Sequence, residues 1–592
     1  MGCAGSRAVE PPAAAGRPPQ PQAQAPLDEI LHADAKADRR EQSTAEKGTD
    51  VAAQLQTDAV RLESARQQPL PEKSKWKLCG GDELEPLLAH TDVIDAKWLL
   101  KLLNREVMPE REGVVPAWQD VPPEAKLSLA TLRRTTLELK LPVAVLSYGW
   151  AAKRHPDPTG ALLRRLKPVL ERMAHCCEHG RAPQFPDQRP AAWGIVWDFM
   201  SLPQRGYTTG YVPDECGDDG KIVKSNDDRT PYQLARFGSG LKGINVWYGS
   251  VHTTTLVCDW PMPANAENAS PIATRGWCIF EKALSSVRKD GRCCLALGQL
   301  ADGATGHWLS LEVACRAGRA PPLAPDAFEA MLREGVAREA AVPGTGFRFT
   351  NGKDATAICI PQYREGFLRL LRGGGMLAFD RCGWGDAEVR VLAAALAYAH
   401  ANGATTQADS LFLSANRLSD AALPPLVEAI AAGATPELEN LRLEGNELGD
   451  AALATLRPLL AGPLSGLVDF AIGKRLTAEG VRSLVALLAD GHLAGLENID
   501  LSGNGGLGDQ GAAAIAGALS EGWLPELEKL RLDGTGMGDE GATALAGALG
   551  GAPKLTKLVV GKNAFGEDAK TALKAACAKR GVAAMAGYFD AL

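Results

Sequence analysis

The first six residues, MGCAGS, combine side chains and a spacing that suit covalent lipid attachment. Gly2 follows the initiator Met and Ser6 stands at the fifth place from it, which is the pattern for N-myristoylation. One myristoyl chain binds a membrane only marginally, so stable anchoring needs a second signal. Cys3 is suited to palmitoylation, and the acidic chain, with a net charge of -7, offers no polybasic patch instead. We therefore predict lipidation at Gly2 and Cys3; the alternative is a chance Met-Gly start.

A second run of reactive side chains, His175-Cys176-Cys177 with His179, could ligate a metal. Consecutive residues of a helix point to different faces, so only His175 and His179, four apart, share one face. A structural zinc site uses four ligands. We therefore predict that no metal is bound here, and the chain also lacks the G-x-x-x-x-G-K-[ST] pattern of a P-loop nucleotide site.

Length and composition exclude several classes of protein. The 592 residues are enough for several domains, and the acidic balance argues against a nucleic-acid-binding body. No stretch approaches the ~18 apolar residues of a membrane span, and no apolar secretion signal begins the chain. The thirteen cysteines then indicate cytosolic thiols. These observations predict a protein on the cytoplasmic face of a membrane, held there by lipid alone.

The central body alternates buried strand patterns with amphipathic helix patterns. The predicted strands are 143–150, 193–202 and 245–260, and the predicted helices are 159–180, 232–244 and 274–287. This alternation predicts parallel crossovers and a doubly wound α/β sheet, in which ligands bind beyond the carboxyl ends of the strands. Trp150, the loop after Asp198 and the start of the last helix should therefore lie near one another.

Three fragments of this body, VLSYGW (145–150), WDFMSLPQ (197–204) and RGWCIFE (275–281), carry a resemblance to known families. They resemble the heterokaryon-incompatibility domain and the Toll/interleukin-1 receptor (TIR) domain, a match of about twenty residues. With the attached repeats, residues 90–592 are similar to predicted proteins of dinoflagellate algae. The polar insert at 205–231 departs from a typical TIR domain. The resemblance implies a TIR-like, flavodoxin-like sheet.

The resemblance to TIR enzymes that cleave NAD also implies a site. Glu281 matches their catalytic carboxylate, which would stabilise a ribosyl oxocarbenium-like centre. Ser147, Trp150, Asp198 and Trp277 would line the substrate site, with NAD as substrate, no cofactor, and a homo-oligomer to complete it. The alternative is that Glu281 pairs or caps on a helix surface while Trp277 belongs to the core.

The last third of the chain is an internal repeat. Its strands begin near residues 377, 411, 441, 468, 499, 530 and 558, which gives about seven units. In each unit an L-x-L strand precedes a polar turn and an Ala/Leu-rich helix, and this resembles leucine-rich repeats of the ribonuclease-inhibitor type. Two sets of polar residues recur. Asparagines at the strand exits should bond backbone, and aspartates should cap the helices; the sets are Asn416, Asn446, Asn504 and Asn563, with Cys382 in the first unit, and Asp386, Asp420, Asp450, Asp509 and Asp539.

The middle residue of each L-x-L strand should face the concave side of the horseshoe. Its mixed charges suit a protein partner better than nucleic acid. The predicted protein-binding residues are Phe412, Arg442, Asp469, Asp500, Arg531 and Val559.

Composition divides the chain into six segments. We predict an acylated disordered linker (1–26), a polar helical or disordered segment (27–75), a helical lead-in (76–136), the TIR-like or heterokaryon-incompatibility-like domain (137–345), a linker helix (346–374) and the repeats (375–592). Together they predict a lipid-anchored signalling or scaffold protein. The alternatives are a membrane-tethered NAD hydrolase regulated by the repeats, and a membrane-skeleton scaffold without signalling output.

Overall fold

The computed structural model describes residues 56–57, 70, 74–207, 215–216, 222–301, 304–316, 319–349 and 351–585. The predicted acylation sites Gly2 and Cys3 lie outside the described residues, as does nearly all of the 27–68 segment. Within the described ranges, none of the helices has both the length and the apolar character needed to cross a bilayer.

The predicted helical lead-in (76–136) contains short elements rather than one long helix. They are α1 (Lys75–Leu78), α2 (Gly81–Leu84), β1 (Ile94–Asp95), α3 (Ala96–Leu103) and α4 (Leu129–Leu132). A 3-10 helix at Glu85–Ala89 and strand β1 interrupt the helical pattern. Asp95 then starts α3 by accepting a hydrogen bond from the Lys97 amide at 2.9 Å. This capping bond explains why a new helix begins in the middle of the apolar run.

The central body is a mixed α/β layer structure around a five-stranded sheet. The sheet consists, in order, of β1, β3 (Gly194–Val196), β2 (Val143–Ser147), β6 (Thr254–Val257) and β7 (Cys294–Ala296). The last four strands are parallel, and β1 is antiparallel to β3. The parallel sheet predicted from the alternating pattern is confirmed. The elements are β2 (Val143–Ser147), α5 (Ala161–His179), β3 (Gly194–Val196), α6 (Asp198–Ser201), the β4 (Glu215–Cys216) and β5 (Ile222–Lys224) hairpin, α7 (Pro231–Lys242), α8 (Ile244–Gly249), β6 (Thr254–Val257), α9 (Gly276–Arg288), β7 (Cys294–Ala296), α10 (Trp308–Cys315) and α11 (Pro325–Ala341).

The strand predicted over 245–260 is wrong in its first half. Residues 244–249 form helix α8, and only Thr254–Val257 are a strand. A short apolar run has no periodicity that separates a buried helix from a buried strand. Trp247 and Tyr248 are both buried against the same core, so tertiary packing decides the local structure.

Both faces of the central sheet are buried, and alternate residues of β2 serve different cores. Val143 and Val145 pack on the face that contains α9 and continues into the repeats. Ala144 and Leu146 pack on the opposite face with α3, α5 and α10. The period of two along a strand places neighbours on opposite faces, which accounts for this division.

A short π-helix at Ala355–Cys359 and helix α12 (Ile360–Arg372) join the central body to the repeats. Arg288 of α9 donates to the carbonyl of Leu370 at 3.1 Å and to that of Gly374. Arg316 forms an ion pair with Asp380 at 2.6 Å, and the Trp384 indole donates to the Arg319 carbonyl at 2.6 Å. The predicted linker helix is therefore a packed joint, and one hydrophobic core runs through it.

The repeats form an eight-stranded parallel sheet in sequential order. Apolar residues of neighbouring strands, mostly leucines, align in one buried row, for example Leu411, Leu441 and Phe470. One helix follows each of the first seven strands. The strands are β8 (Gly374–Ala378), β9 (Gln407–Phe412), β10 (Asn440–Gly449), β11 (Asp469–Arg475), β12 (Asn498–Asp500), β13 (Lys529–Arg531), β14 (Lys557–Val559) and β15 (Ala583–Met585), and the helices are α13 (Asp386–Ala401), α14 (Leu423–Ala431), α15 (Asp450–Leu460), α16 (Ala478–Ala489), α17 (Gly508–Ser520), α18 (Asp539–Ala548) and α19 (Glu567–Arg580).

The recurring asparagines bond backbone at the strand exits, as predicted. Asn446 is fully buried, and its amide donates to the carbonyls of Leu413 at 2.9 Å and Leu443 at 3.0 Å. Its Oδ1 accepts from the amides of Asn416 at 3.1 Å and Leu418 at 3.2 Å. Each asparagine of this ladder therefore ties its own turn to the preceding one.

The prediction that the recurring aspartates cap their own helices is wrong. Asp386 accepts from the Ser419 amide at 2.8 Å, and Asp420 from the Gly449 amide at 2.8 Å. Asp450 accepts from the Thr477 amide at 2.9 Å in the same way. Each carboxylate thus bonds the turn just before the helix of the following repeat, and the stacking of the repeats brings that amide near.

Candidate functional site

Ser147, Asp198 and Glu281 meet at the carboxyl end of the central sheet. Ser147 ends β2, Asp198 begins the short helix after β3, and Glu281 lies in the second turn of α9. Ser147 is fully buried, whereas Asp198 and Glu281 retain partial exposure. The Ser147 hydroxyl and the Glu281 Oε2 atom are both buried without a hydrogen-bond partner that meets normal geometry. The parallel sheet thus brings together three residues that are far apart in sequence.

Two tyrosines, which the sequence did not single out, complete this cluster. The Tyr148 hydroxyl donates to Asp198 Oδ1, which also accepts from the Phe199 amide at 2.6 Å. The Tyr248 hydroxyl donates to the Leu146 carbonyl at 2.6 Å. Tyr248 belongs to helix α8, so the prediction of a strand there concealed it.

Burial raises the pKa of both carboxyl groups of the cluster. Burial raises the pKa of Glu281 to about 8; the charge of Asp198 adds to this rise, and polar interactions with Ser147 and Tyr248 oppose it. Burial also raises the pKa of Asp198, while bonds from Tyr148, Phe199 and Trp150 oppose that rise. Glu281 is therefore a neutral acid over much of the physiological range, which is a property of general acids and of buried structural carboxyls alike.

The two predicted tryptophans have different neighbours. Trp150 packs edge-on against Phe199, with 5.7 Å between ring centroids, and lies near Asp198. The Trp277 indole instead donates to Asp354 at 3.0 Å, in the segment that leads into α12. Trp150 is thus part of the Ser147–Asp198 neighbourhood, whereas the Trp277 indole is held by the joint to the repeats.

Arg275, in the RGWCIFE motif, forms hydrogen bonds with two loops near this cluster. Its guanidinium donates to the carbonyls of Trp150 at 2.8 Å, Asn268 at 2.9 Å and Ser270 at 3.0 Å. A Cβ at Gly276 would lie 2.1 Å from the Phe349 ring, so only glycine fits there. The Arg and Gly of the motif therefore have direct structural roles.

A small cavity lies between the ends of β2 and β6, where the strand order reverses. Ligands of doubly wound sheets bind at this position. Its walls include Tyr148, Gly149, Cys258 and Trp260, and its volume of ≈ 30 Å³ suits one or two water molecules. Asp157, which also lines it, accepts from the Leu163 amide at 2.9 Å near the start of α5. This carboxylate occupies the helix end that a ligand phosphate would use, and Glu281 does not line the cavity.

On the concave face of the repeats, one row of side chains lies beside the buried leucines. The strand register aligns Phe412, Arg442, Ala471, Asp500 and Arg531. Phe412, Arg442 and Arg531 of this row are partly exposed, whereas Ala471 and Asp500 are buried. Asp469 lies on the same face as predicted but not in this row, because Arg442 aligns with Ala471 and Asp469 aligns with Asn440, two residues earlier. Val559 follows Arg531 in the row but is fully buried, so it is not accessible to a partner.

The charged residues of this face are joined in two clusters. In the first, Arg442 pairs with Asp469 at 2.6 Å and its guanidinium lies 5.6 Å from the Phe412 ring. In the second, Arg531 pairs with Asp500 at 3.2 Å and with Asp533 at 3.0 Å. The side chains of Arg442 and Arg531 keep 28% and 19% of their surface exposed. Both clusters thus present fixed charges at a partly solvated surface.

A family model described as Leucine Rich repeat matches residues 496–516 and 525–546. The C-terminal region therefore contains leucine-rich repeats, as the recurring L-x-L pattern predicts. No curated protein matches the chain. The resemblance of the central body to TIR and heterokaryon-incompatibility domains, and of residues 90–592 to dinoflagellate proteins, stays a prediction.

Three solved structures share a limited likeness with the chain. A protein from Bacteroides fragilis has 14% identity and a TM-score of 0.24, over 35% of this chain and 64% of that chain, so less than two thirds of its length is matched. The Rad7 and Elc1 complex of yeast has 14% identity and a TM-score of 0.22, over 36% and 68%. An internalin from Listeria monocytogenes has 15% identity and a TM-score of 0.19, over 44% and 97%. Such low TM-scores carry no inference about function.

Proposed function

We propose that this chain is a lipid-anchored scaffold that captures a protein partner on the concave face of its leucine-rich repeats. The presence of leucine-rich repeats is consistent with a protein-binding scaffold. The face carries both signs of charge and an aromatic ring, which suits a protein surface better than a polyanion.

The ion-paired clusters around Arg442 and Arg531 are the observation that carries this proposal. An arginine already held by Asp469 or by Asp500 loses little freedom when a partner docks. The half-buried guanidinium keeps donors available at the rim, and arginine and aromatic residues are common anchors of protein interfaces.

Photo-crosslinking from position 412 tests the concave face directly. A photoreactive phenylalanine analogue at Phe412, in the full chain and in its source cells, should crosslink a defined protein. Arg442→Gln removes the charge next to that ring and should abolish the crosslink. Arg482→Gln is the matched control, because Arg482 is half exposed on α16 and pairs only with its helix neighbour Glu479 among the described residues. Equal crosslinking by both variants would move the binding surface away from the concave face.

The anchor is tested separately by membrane fractionation. Wild type should pellet with membranes and resist a salt wash, Gly2→Ala should be released, and Cys3→Ser should bind weakly. Retention of Gly2→Ala at the wild-type level would end the anchor proposal. Proximity labelling of the full chain distinguishes a signalling scaffold, with regulated neighbours, from a static membrane-skeleton component.

NAD cleavage is the second candidate function, and the electrostatic effect of Asp198, which raises the pKa of Glu281, supports it. The ≈ 30 Å³ cavity, which Glu281 does not line, speaks against it. We therefore expect the concentrated full chain to release no nicotinamide from NAD. Release that Glu281→Gln abolishes would instead establish the enzyme.

A further inference from the structure

Two exposed leucines, which the core does not use, belong to neighbouring segments of the protein. Leu78 and Leu139 are 62% and 60% exposed. Helix α1, which carries Leu78, contacts the turn before β2, which carries Leu139. Lys75 pairs with Glu138 at 2.9 Å, and the Cys79 thiol interacts with the Leu139 backbone.

Phe185 extends this surface. Its ring is 37% exposed, and its loop is fixed by a bond from the Gln188 side chain to Glu138 at 3.1 Å. We call Leu78, Leu139 and Phe185 the apolar patch. A cluster of large exposed side chains marks a contact surface more often than scattered single ones do.

The backbone at Leu139 is strained for an outward-facing side chain. Its φ of 63° lies in the left-handed region, which costs a residue with a Cβ about 1 kcal/mol. The turn is fixed from both sides, since His252 donates to the Leu139 carbonyl at 3.0 Å and the neighbouring Lys140 is buried against Glu312 at 2.5 Å. With 60% of its surface exposed, the Leu139 side chain gains little inside the protein. An asparagine would suit this backbone better and would keep the turn.

Leu78 of the patch is close in sequence to the N-terminal segment that carries the predicted acylation motif. It lies in the single turn that forms helix α1, and the motif precedes it at residues 2–6. Helix α1 turns Trp76 inward and leaves Lys75 and Lys77 more exposed beside Leu78. Cations next to apolar side chains match the boundary between anionic headgroups and acyl chains.

We propose that the apolar patch is a membrane-contact surface that inserts its leucines into an anionic bilayer. The inference rests on the proposed lipid anchor. A tethered body has a high effective concentration at the bilayer, so a small patch is sufficient to orient it there. The sheet edge that carries the candidate site then faces away from the membrane, because Leu139 precedes β2 and Ser147 ends it.

The test uses the full chain and does not depend on acylation. The Gly2→Ala protein carries an N-terminal hexahistidine tag and is tethered to phosphatidylcholine vesicles that contain a nickel-chelating lipid, with or without phosphatidylserine. Retention after partial imidazole elution is measured. The Leu78→Gln/Leu139→Asn variant should be retained about tenfold less than wild type on phosphatidylserine vesicles, an order-of-magnitude estimate for two exposed leucines.

Two further variants separate contact from folding. Leu139→Asn alone should reduce retention without lowering the melting temperature, because it relieves strain. Val342→Gln is the matched control. Val342 is 56% exposed and directly follows α11, and the segment after it bonds the Thr274 carbonyl through the Arg348 amide. Equal retention of wild type and the double variant would overturn the proposal. So would a double variant that changes only self-association in vesicle-free solution, because the patch would then join two copies of the chain. The vesicle test stays decisive even if the fractionation experiment shows that the wild-type chain is not acylated, because the hexahistidine tag supplies the tether.

Discussion

The two parallel sheets of this protein use the same hydrogen bonding but place their polar side chains differently. All five residues of β2 in the central sheet are buried, because helices cover both faces. In the repeats, a strand such as β10 alternates buried leucines with half-buried polar residues. A sheet covered on both faces needs internal partners for its polar groups. A sheet with one open face has charged side chains available to another molecule.

This difference explains why the two candidate sites differ in accessibility. In the central body, Tyr148 bonds Asp198, and Lys140 and Arg181 both pair with the buried Glu312. In the repeats, the fully buried side-chain amides belong to the asparagine ladder, whereas the arginines lie at the open face. Four predictions test whether buried polar groups hold the fold and exposed ones serve binding.

The largest effect is expected for Asn446→Ala. Loss of this side chain removes the hydrogen bonds that it makes with the Asn416 and Leu418 amides and with the Leu443 carbonyl. The Leu413 carbonyl keeps a bond from the Asn416 side chain. We expect unfolding to become easier by about 4 kcal/mol. Urea denaturation of the full chain measures the change. Asn440→Ala, in the same strand but half-buried, should cost less than about 1 kcal/mol. Equal costs would show that the ladder is not what holds the repeats together.

Glu312→Gln should cost about 3 kcal/mol, because two buried cations lose their shared anion. Burial alone would raise the pKa of Glu312, but Lys140 and Arg181 outweigh it, so the pKa is lowered. The stabilisation by the carboxylate is therefore present at neutral pH and lost as the pH falls through the folded-state pKa. Denaturation at pH 7 and near pH 3 should show a smaller difference between wild type and variant in acid. A pH-independent difference would contradict the ion-pair explanation.

Glu281→Gln should change how stability depends on pH. The folded-state pKa of about 8 lies above the ordinary value, so folding favours the protonated acid, and wild type loses stability as the pH rises from the ordinary pKa of a glutamate to about 8. Glutamine is neutral throughout, and the variant should avoid about 2 kcal/mol of that loss between about pH 6 and about pH 8. Glu334→Gln, which is largely exposed, is the control and should follow wild type. A variant that follows wild type as well would show that Glu281 is ionised in the folded protein.

Arg442→Gln should have the smallest effect on stability, less than about 1 kcal/mol, because its ion pair is partly solvated. It should nevertheless abolish the crosslink from position 412. Thermal unfolding in parallel with crosslinking separates the two outcomes. A large loss of stability would place Arg442 among the groups that hold the fold and would remove the contrast between the two sheets.

The repeats were predictable because the L-x-L pattern of the sequence corresponds directly to the buried positions of each strand. An L-x-L strand buries the same two positions in each unit, and the predicted strand starts fall within or beside the observed strands. At Asp469 only the predicted row is displaced, by two residues, because the apolar residues Val468, Phe470 and Ile472 fit more than one register of the strand. The helix-capping role of the aspartates failed for another reason: the amide that each one bonds belongs to the next repeat, and only the stacked structure brings it near.

The central site was predictable only in outline. The rule that ligands lie at the strand ends brought Trp150, the loop after Asp198 and the start of helix α9 together from sequence, whereas Ser147 came only from the resemblance. Tyr248 was missed because the run NVWYG has strand-like composition but forms a helix. Arg275 was noticed only as part of a motif, since its three carbonyl partners come from loops whose path the sequence does not specify.

The continuous core through α12 has a consequence for how the protein is made. Synthesis delivers the central body first, and domains generally fold as they emerge from the ribosome. The finished body then offers Arg288 and Arg316 to the incoming strand β8, so the first repeat condenses on an existing template. Each later repeat adds to the one before it. The repeats thus fold in order from β8 to β15 during translation, and the exposed end at β8 is already covered by the central body.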